Sequence, residues 1–423
     1  MIMNRSKNLY IILFLDDFMN ILYFANIDFY RKPNPSFHLM TAFISHFLSR
    51  GDSIYFVGRE DPALDKHIPE EFAAHPNFHY RLIKSSPAPK QAFARRYIEG
   101  VTFAAKARKY LKEFMPKADI VFLASTATVL FNALIVKSLR TTQKVVMNIQ
   151  DMFPGSTIAS GKMPRKWMQK IFYAMQRRAY AIPDIIVGIS EDMRNKLLEQ
   201  GVHRDRTEVI LNWFDDKSVH EVAWEDNRFV KKHNMTKNKF YVQYAGTMGY
   251  VFDYRMVIET AKRLAEYDDI QIQMIGMGSQ REEFEQAVKE SGLANIVFLP
   301  LEPQEMVSDV YSACSVCLIP LKHGIIGNSV PSKAGLLMQC HRPIVTSADE
   351  DSIYAKEIND HKIGIACPDN CPDKVASAIL YLYNNPAERI KMGERGYEYG
   401  HGMYSSSHNL NLYADLFNRI INK

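Results

Sequence analysis

The chain has 423 residues, 47% hydrophobic and 23% charged, with a formal net charge of +5 at neutral pH. That length is too great for one compact core and suits two domains of roughly 200 residues each. The mild positive charge permits contact with an anionic membrane surface, but no basic run, RNA-type aromatic motif or zinc-finger spacing supports a nucleic-acid partner.

The first apolar run, Leu9–Leu15, falls well short of the roughly 20 residues needed to span a bilayer. Asp16-Asp17 follows it without a small-residue cleavage site, which makes it a poor signal peptide. Met19-Asn-Ile-Leu-Tyr-Phe-Ala25 reads as the natural start of the first domain, with a buried strand close behind an initiator Met. Residues 1–18 are therefore expected to lie outside that domain's core, with translation starting at Met1 or Met19 left open.

Apolar, β-rich runs then alternate with helix-period segments, the signature of parallel α/β domains. In the first half the predicted strands are Ile21–Asn26, Ser53–Gly58, Phe78–Ile83, Asp119–Ser125, Lys144–Asp151, Asp184–Ser190 and Glu208–Phe214. Between them lie predicted helices Phe37–Arg50, Lys90–Phe114, Ala127–Leu139, Lys166–Ile182 and Glu191–Gln200. A polar, charged stretch over Asp215–Asn238 breaks the rhythm and reads as a linker. A second series follows, with strands Phe240–Ala245, Ile270–Ile275, Ile296–Leu299, Ser315–Pro320 and Pro343–Ser347. A last helix, Ser407–Ile421, is apolar at Leu410, Leu412, Tyr413, Leu416, Phe417 and Ile420. The fold class is α/β with two Rossmann-like halves, and ligands belong at the carboxyl ends of their strands, in the cleft between domains.

All five cysteines lie in the C-terminal half. Cys314 and Cys317 have redox or zinc spacing, but they sit at a helix end running into a buried strand, with no second Cys or His pair. Buried free thiols in a reducing compartment are expected.

The most informative stretch runs from Asn328 through Ser329, Val330, Pro331, Ser332 and Lys333 to Val345. A polar loop turns at Pro331, a helix opens near Ser332-Lys333, and an apolar strand begins after Arg342-Pro343. A helix N-terminus with a lysine at its mouth is an anion site. Two glycine turns precede it, Gly246-Thr247-Met248-Gly249 and Gly276-Met277-Gly278, each directly after a predicted strand. Glycine there lets backbone N–H groups approach a diphosphate. Gly-x-Gly alone is weak. Here, however, Glu208–Asp215, Val242–Gly249, Met274–Ser279, Ile296–Pro300, Glu305-Met306 and Ser315–Pro320 fall in order ahead of the Lys333 stretch.

Together these landmarks resemble GT-B glycosyltransferases of family 4 over most of residues 19–423. Gly246–Gly249, Ser329–Lys333 and Gln150-Asp-Met-Phe-Pro154 look most like enzymes that extend bacterial O-antigen or capsular chains, including N-acetylfucosaminyltransferase-like members. The resemblance implies two Rossmann-like domains facing a deep cleft and a C-terminal helix crossing back. It divides the chain into an extension (1–18), an acceptor-side domain (19–220), a nucleotide-sugar domain (221–402) and the crossover helix (403–423). It implies a retaining, metal-independent hexosyl- or N-acetylhexosaminyltransferase. The donor would be a nucleotide sugar, a UDP-sugar by preference, used as co-substrate with no cofactor. The acceptor would be a lipid-linked saccharide, and the location cytoplasmic, with peripheral contact at the inner face of the cell membrane.

The residues of the donor site would be Gly246, Thr247, Met248, Gly249, Gly276, Gly278 and Asn328 through Lys333. Lys333 would take phosphate charge, and Asp151 would make a polar contact to donor or acceptor. Asn34, Ser36 and His38 would lie on the acceptor-side loop after the first strand, with helix capping as the plainer role. For Asp151 the plainer role is a turn residue, and for Lys333 a solvated helix-end lysine.

The chain also departs from the family pattern. Two glutamates, eight positions apart, usually flank the phosphate loop; Asn328 and Leu336 stand in their places. An Asn still hydrogen-bonds a sugar hydroxyl, whereas a Leu cannot. The Arg and Lys that often follow the first glycine turn have no clear equivalents, Arg255 being an unconvincing one, and Gln150 replaces a frequent His. These losses keep a second reading open, a catalytically inactive GT-B homologue acting as a partner or regulatory subunit. A GT-B 2-epimerase is a third, but Asn328 and Leu336 do not supply its acidic and basic groups. Helix 90–114 carries Phe93, Tyr97, Val101, Ala104, Leu111 and Met115 on one face and Arg95, Lys106 and Lys109 opposite. It is a surface helix or, with Trp167, Phe172, Tyr173, Arg177 and Arg178, a membrane-facing one.

Overall fold

Strands covered on both faces carry apolar side chains at nearly every position. The computed structural model, which describes residues 18–30, 37–86, 93–125, 128–215, 218–331 and 333–422, assembles such segments into two wholly parallel sheets of seven and six strands. The first contains β1 (Asn20–Phe24), β2 (Ser53–Glu60), β3 (Phe78–Lys84), β4 (Ile120–Ala124), β5 (Lys144–Ile149), β6 (Ile185–Gly188) and β7 (Thr207–Val209). Its order is β3-β2-β1-β4-β5-β6-β7. The second contains β8 (Phe240–Ala245), β9 (Ile270–Ile275), β10 (Ile296–Leu299), β11 (Val316–Pro320), β12 (Ile344–Ala348) and β13 (Gly364–Pro368), in the order β10-β9-β8-β11-β12-β13.

Each central strand is flanked by its neighbours in matched register, Leu22 opposite both Tyr55 and Val121 in the first sheet, and Val242 opposite both Ile272 and Val316 in the second. The order reverses between β1 and β4 and again between β8 and β11. A crevice opens at such a switch point, beyond the carboxyl ends of the strands. In the second sheet the loops after β8 and β11 meet there, which fixes where the glycine turn and the Lys333 loop converge.

Apolar clusters cover both faces of both sheets. The last helix, Ser406–Ile421, returns to the first sheet. Tyr413 and Phe417 lie edge-on to Phe43 and Phe122, and Phe417 stacks on Phe47. Leu410, Leu416 and Ile420 are buried beside them, whereas Leu412, expected on the same face, is 36% exposed. Five buried apolar side chains at roughly 1.5–3 kcal/mol each give on the order of 10 kcal/mol of gross stabilisation, an upper bound. The Tyr413 hydroxyl also accepts from Asn148 Nδ2 at 2.8 Å, which ties the helix to the end of β5.

Three expectations need correction. Asp215–Asn238 is not a free linker: Val219, Phe229 and Val230 are buried against the second domain, and Arg228 pairs with Asp309. β13, absent from the predicted strands, runs Gly-Ile-Ala-Cys-Pro, and its half-buried edge position carries no continuous apolar run. The helix expected to open at Ser332-Lys333 is a six-residue segment, Ala334–Gln339, whose first flanking residue is Lys333, with no side-chain cap. So short a helix has little macrodipole to offer an anion. Residues 1–17, expected to lie outside the core, are outside the described residues; Phe18, the first described, is 67% exposed. All five cysteines are free, four of them buried, with the Cys314 and Cys317 sulfurs 3.3 Å apart. Among the described residues no helix is long and apolar enough to cross a membrane.

Candidate functional site

β8 delivers the first glycine turn to the crevice. Gly246 sits at φ +151°, and a Cβ there would fall 1.5 Å from Lys333 Nζ. The lysine ammonium therefore lies against bare backbone, and its other side is covered by the Tyr244 ring, 4.1 Å from Nζ to centroid. Tyr244 is held in place by its hydroxyl, which donates to the Thr247 carbonyl at 2.8 Å. No carboxylate pairs with Lys333 among the described residues. Burial without a counter-ion pulls its pKa from the ordinary 10.5 down to about 7.

The glycines of the second turn answer to the first turn rather than to open space. A Cβ on Gly276 would meet the Gly246 carbonyl oxygen at 2.1 Å, and one on Gly278 would meet the Met248 carbonyl oxygen at 2.2 Å. Hydrogen bonds join the turns: Gly246 N–H to the Ile275 carbonyl, Met248 N–H to Met277, and Gln280 N–H to Met248. Met248 also buries its side chain completely, so it offers a ligand nothing, contrary to its expected role. The N–H groups of Thr247 and Gly249 have no acceptor among the described residues. These two amides and Lys333 Nζ are what the turn presents to an anion.

Three further cations edge this turn, and none was legible as a motif. Lys322, just after β11, donates to Gln280 Oε1 at 3.0 Å, while Gln280 in turn bonds the Gly249 and Phe252 carbonyls. Arg281 donates to the Gly276 and Leu299 carbonyls. Lys162 reaches over from the first domain to lie 3.2 Å from the centroid of the Tyr250 ring. Arg255 is held by the Tyr254 hydroxyl.

The facing wall comes from the loop after β5. Asp151 opens to solvent on one side, but the surrounding walls crowd its carboxyl; desolvation raises its pKa, and a hydrogen bond from Ser329 opposes the rise. Gln150 accepts from Asn212 and donates to Asn148, extending the network that reaches Tyr413. Asn328 serves as a fastener between domains. Its carbonyl accepts Met152 N–H at 2.9 Å, its Nδ2 donates to the Gly324 carbonyl, and its Oδ1 lies where a Cβ on Gly155 would be. Val330 packs on the first domain's apolar cluster. Pro331 accepts from Ala334 N–H. Leu336, half-buried, packs against the second domain's core.

A second cross-domain tie lies nearby: the Asp192 carboxylate accepts the N–H groups of Ile353 and Tyr354 at 2.8 and 2.9 Å. His38 belongs to helix Phe37–Ser49 rather than to a loop; it bonds the Trp213 backbone, and burial lowers its pKa. Asn34, Ser36 and Ser332 lie outside the described residues. One acidic cluster escaped the sequence reading: His323 Nδ1 stands 2.9 Å from Asp349 and 3.1 Å from Asp369.

Two parallel Rossmann-like sheets joined across a crevice, with a glycine turn and a basic pocket on one wall and a lone carboxylate on the other, define a GT-B architecture. The description "Glycosyltransferase Family 4" matches residues 39–218, and "Glycosyl transferases group 1" matches residues 225–399. A probable glycosyltransferase of Pseudomonas aeruginosa, WbjE, is 27% identical over 241 residues, which span 56% of this chain and 59% of that protein. The match thus covers less than two thirds of WbjE. The O-antigen chain mannosyltransferase C of Escherichia coli is 21% identical over 63% of this chain and 68% of its own. The structure of Anabaena Alr3699/HepE in complex with UDP-glucose superposes with a TM-score of 0.70, at 14% identity, over 95% of this chain and all of that one. The chain belongs to the family 4 glycosyltransferases of GT-B fold.

Proposed function

We propose that the protein transfers a sugar from a UDP-sugar to a growing lipid-linked bacterial surface polysaccharide, with retention of anomeric configuration and without a metal. The observation that carries this is the first glycine turn: two unpaired amides and an uncountered lysine ammonium converge where the switch point opens. In transfer the bond from sugar C1 to the diphosphate oxygen breaks, and a bond from C1 to the acceptor oxygen forms. The acceptor proton passes to the departing phosphate. Thr247 N–H, Gly249 N–H and Lys333 stabilise the charge developing on that phosphate, where a fixed donor array is worth more than in water. Asp151 lies on the opposite wall, placed to accept a hydrogen bond from the acceptor hydroxyl.

The UDP preference is supported by the fold shared with HepE, whose structure holds UDP-glucose, and the polysaccharide by the O-antigen relative. Titration calorimetry with UDP and UDP-glucose tests the donor. A screen of nucleotide sugars with cell-derived lipid acceptor, read by mass shift with and without EDTA, tests transfer and metal independence. No nucleotide binding at millimolar concentration overturns the proposal. One observation favours a second reading, an inactive partner subunit: Asn328 is engaged in domain contacts, and Leu336 is apolar where a ribose-binding carboxylate is usual. Nucleotide binding without turnover over every donor and acceptor tried would select it.

A further inference from the structure

We infer that Lys162, carried by the first domain, is a catalytic residue that meets the terminal phosphate of the departing nucleoside diphosphate across the cleft. The inference deepens the proposed function and rests on it. Lys162 closes the short segment that follows Asp151. Met152 N–H is tied to the Asn328 carbonyl of the second domain, the helix Gly155–Ala159 follows, and the chain then turns through Gly161 at φ +75°. Lys162 N–H donates to the Thr157 carbonyl. Met163 beside it is buried, and its carbonyl accepts from Gln169 Nε2 at 2.7 Å. The backbone of Lys162 is thus fixed, while its side chain stands exposed at the cleft.

The ammonium rests on the face of Tyr250, the residue after Gly249, 3.2 Å from the ring centroid. Tyr250 is itself pinned by a hydrogen bond with Ser279, just past the second glycine turn. A lysine on an exposed aromatic face is weakly held, and Lys162 joins no ion pair among the described residues. The carboxylates that follow the two turns are committed elsewhere. Asp253 accepts the N–H groups of Arg255 and Met256, and Glu283 accepts the Tyr254 hydroxyl. Arg281, the other cation at the turn, pairs with Glu285. Lys322 and Lys333 bond only neutral partners among the described residues. Three lysines without a carboxylate therefore surround Gly246–Tyr250, two from the second domain and one from the first.

The charge of the ligand changes during transfer in a way that fits this arrangement. An intact sugar diphosphate carries about two negative charges and a free nucleoside diphosphate about three at neutral pH, its terminal phosphate having a second pKa near 6. When the bond from C1 to the diphosphate oxygen breaks, its electron pair stays on that oxygen. The oxygen holds the new charge until the acceptor proton reaches it, and the released product then loses that proton to water. Lys322 and Lys333 match the charge present throughout. Lys162 matches the charge that appears only as the bond breaks, and such a contact speeds the chemical step instead of tightening the ground state. It lies on the same wall as Asp151, so one segment of the first domain serves both the leaving group and the acceptor hydroxyl.

Titration calorimetry of the full-length protein with UDP and with UDP-glucose tests this. Lys162→Met should raise the Kd for UDP about tenfold or more and that for UDP-glucose less than about threefold, since only UDP carries the extra charge. Lys162→Arg keeps the charge and should hold the UDP Kd within about threefold of wild type. In turnover with the donor found by the nucleotide-sugar screen, Lys162→Met should lower kcat about tenfold or more and leave KM within about threefold. Unchanged UDP affinity, or an equal loss for UDP and UDP-glucose, overturns the inference and leaves the proposed function standing. A Tyr250→Leu variant with the same selective loss of UDP affinity also overturns it, because the lysine would then act through the ring. Wild-type protein that binds neither ligand overturns both.

Discussion

Replacing Lys333 by Met tests the site at its most costly group. An ordinary lysine titrates at 10.5 and this one at about 7, so charging it in the folded protein costs on the order of 4–5 kcal/mol relative to the unfolded chain. The folded value is the lowered one. Between about pH 7 and 10.5 the unfolded chain binds more protons, and stability rises with pH across that window. Met fills the same space without the charge. The gain is smaller than the full penalty, because the side chain is partly exposed and the contact with Tyr244 contributes roughly 0.5–2 kcal/mol that is lost. A net stabilisation of roughly 1–3 kcal/mol at neutral pH is expected, raising the second domain's melting temperature by about 2–10 °C, with the difference from wild type shrinking toward pH 10. UDP affinity should move the other way. A lost charge-assisted phosphate contact costs roughly 1.5–3 kcal/mol, or about 10- to 150-fold in Kd. Binding at pH 8 should also draw up nearly one proton in the wild type and none in the variant, as read by calorimetry in buffers of different ionisation enthalpy. A variant that melts at the wild-type temperature and binds UDP with wild-type affinity and proton uptake would refute this account of Lys333.

Gly246→Ala should displace the Lys333 ammonium, since its Cβ would fall 1.5 Å from Nζ, and should weaken UDP binding at least about tenfold by calorimetry. Asp192→Ala removes two charge-assisted bonds to Ile353 and Tyr354; a loss of roughly 1–3 kcal/mol is expected in denaturant titration, with the two domains' unfolding transitions drawing apart. Tyr413→Ala should cost roughly 3–5 kcal/mol, whereas Tyr413→Phe should cost roughly 1–3 kcal/mol by stranding Asn148 Nδ2.

The fold was largely legible because covered parallel strands announce themselves: Phe240–Ala245, Ile270–Ile275 and Ile296–Leu299 lie where their apolar runs end. What escaped lacked an apolar run or depended on distant partners. The five residues of β13, with Ile365 its one β-branched side chain, pair with β12 at the sheet edge and are only partly buried, and the segment 218–238 owes its order to the partners it finds on the second domain, such as Asp309 for Arg228. Glycine marked both turns correctly but for mixed reasons. Gly246 makes room for a lysine, whereas Gly276 and Gly278 make room for the backbone of the first turn, a contact no local pattern records. Lys162 and Lys322, on loops, and Asp192, in the first turn of helix Glu191–Glu199, matter through segments brought together by folding, so their positions in sequence carry no mark.

The two absent carboxylates look different once the neighbours are seen. A glutamate at 328 would bring its charge against Gly155, where Asn328 Oδ1 already fills the space a Cβ would need, and burying an unpaired carboxylate there is costly. A glutamate at 336 would give up the apolar contact that half-buried Leu336 makes against the second domain's core. Restoring the pair should therefore destabilise the protein rather than sharpen its hold on a nucleotide, unless Gly155 and the packing at 336 change with it. The second reading, an inactive homologue, requires the opposite: a cleft relieved of function has no reason to keep a lysine ammonium buried without a counter-ion. That retained cost at Lys333, set against the lost carboxylates, is the strongest physical reason to expect an anionic ligand at the first glycine turn.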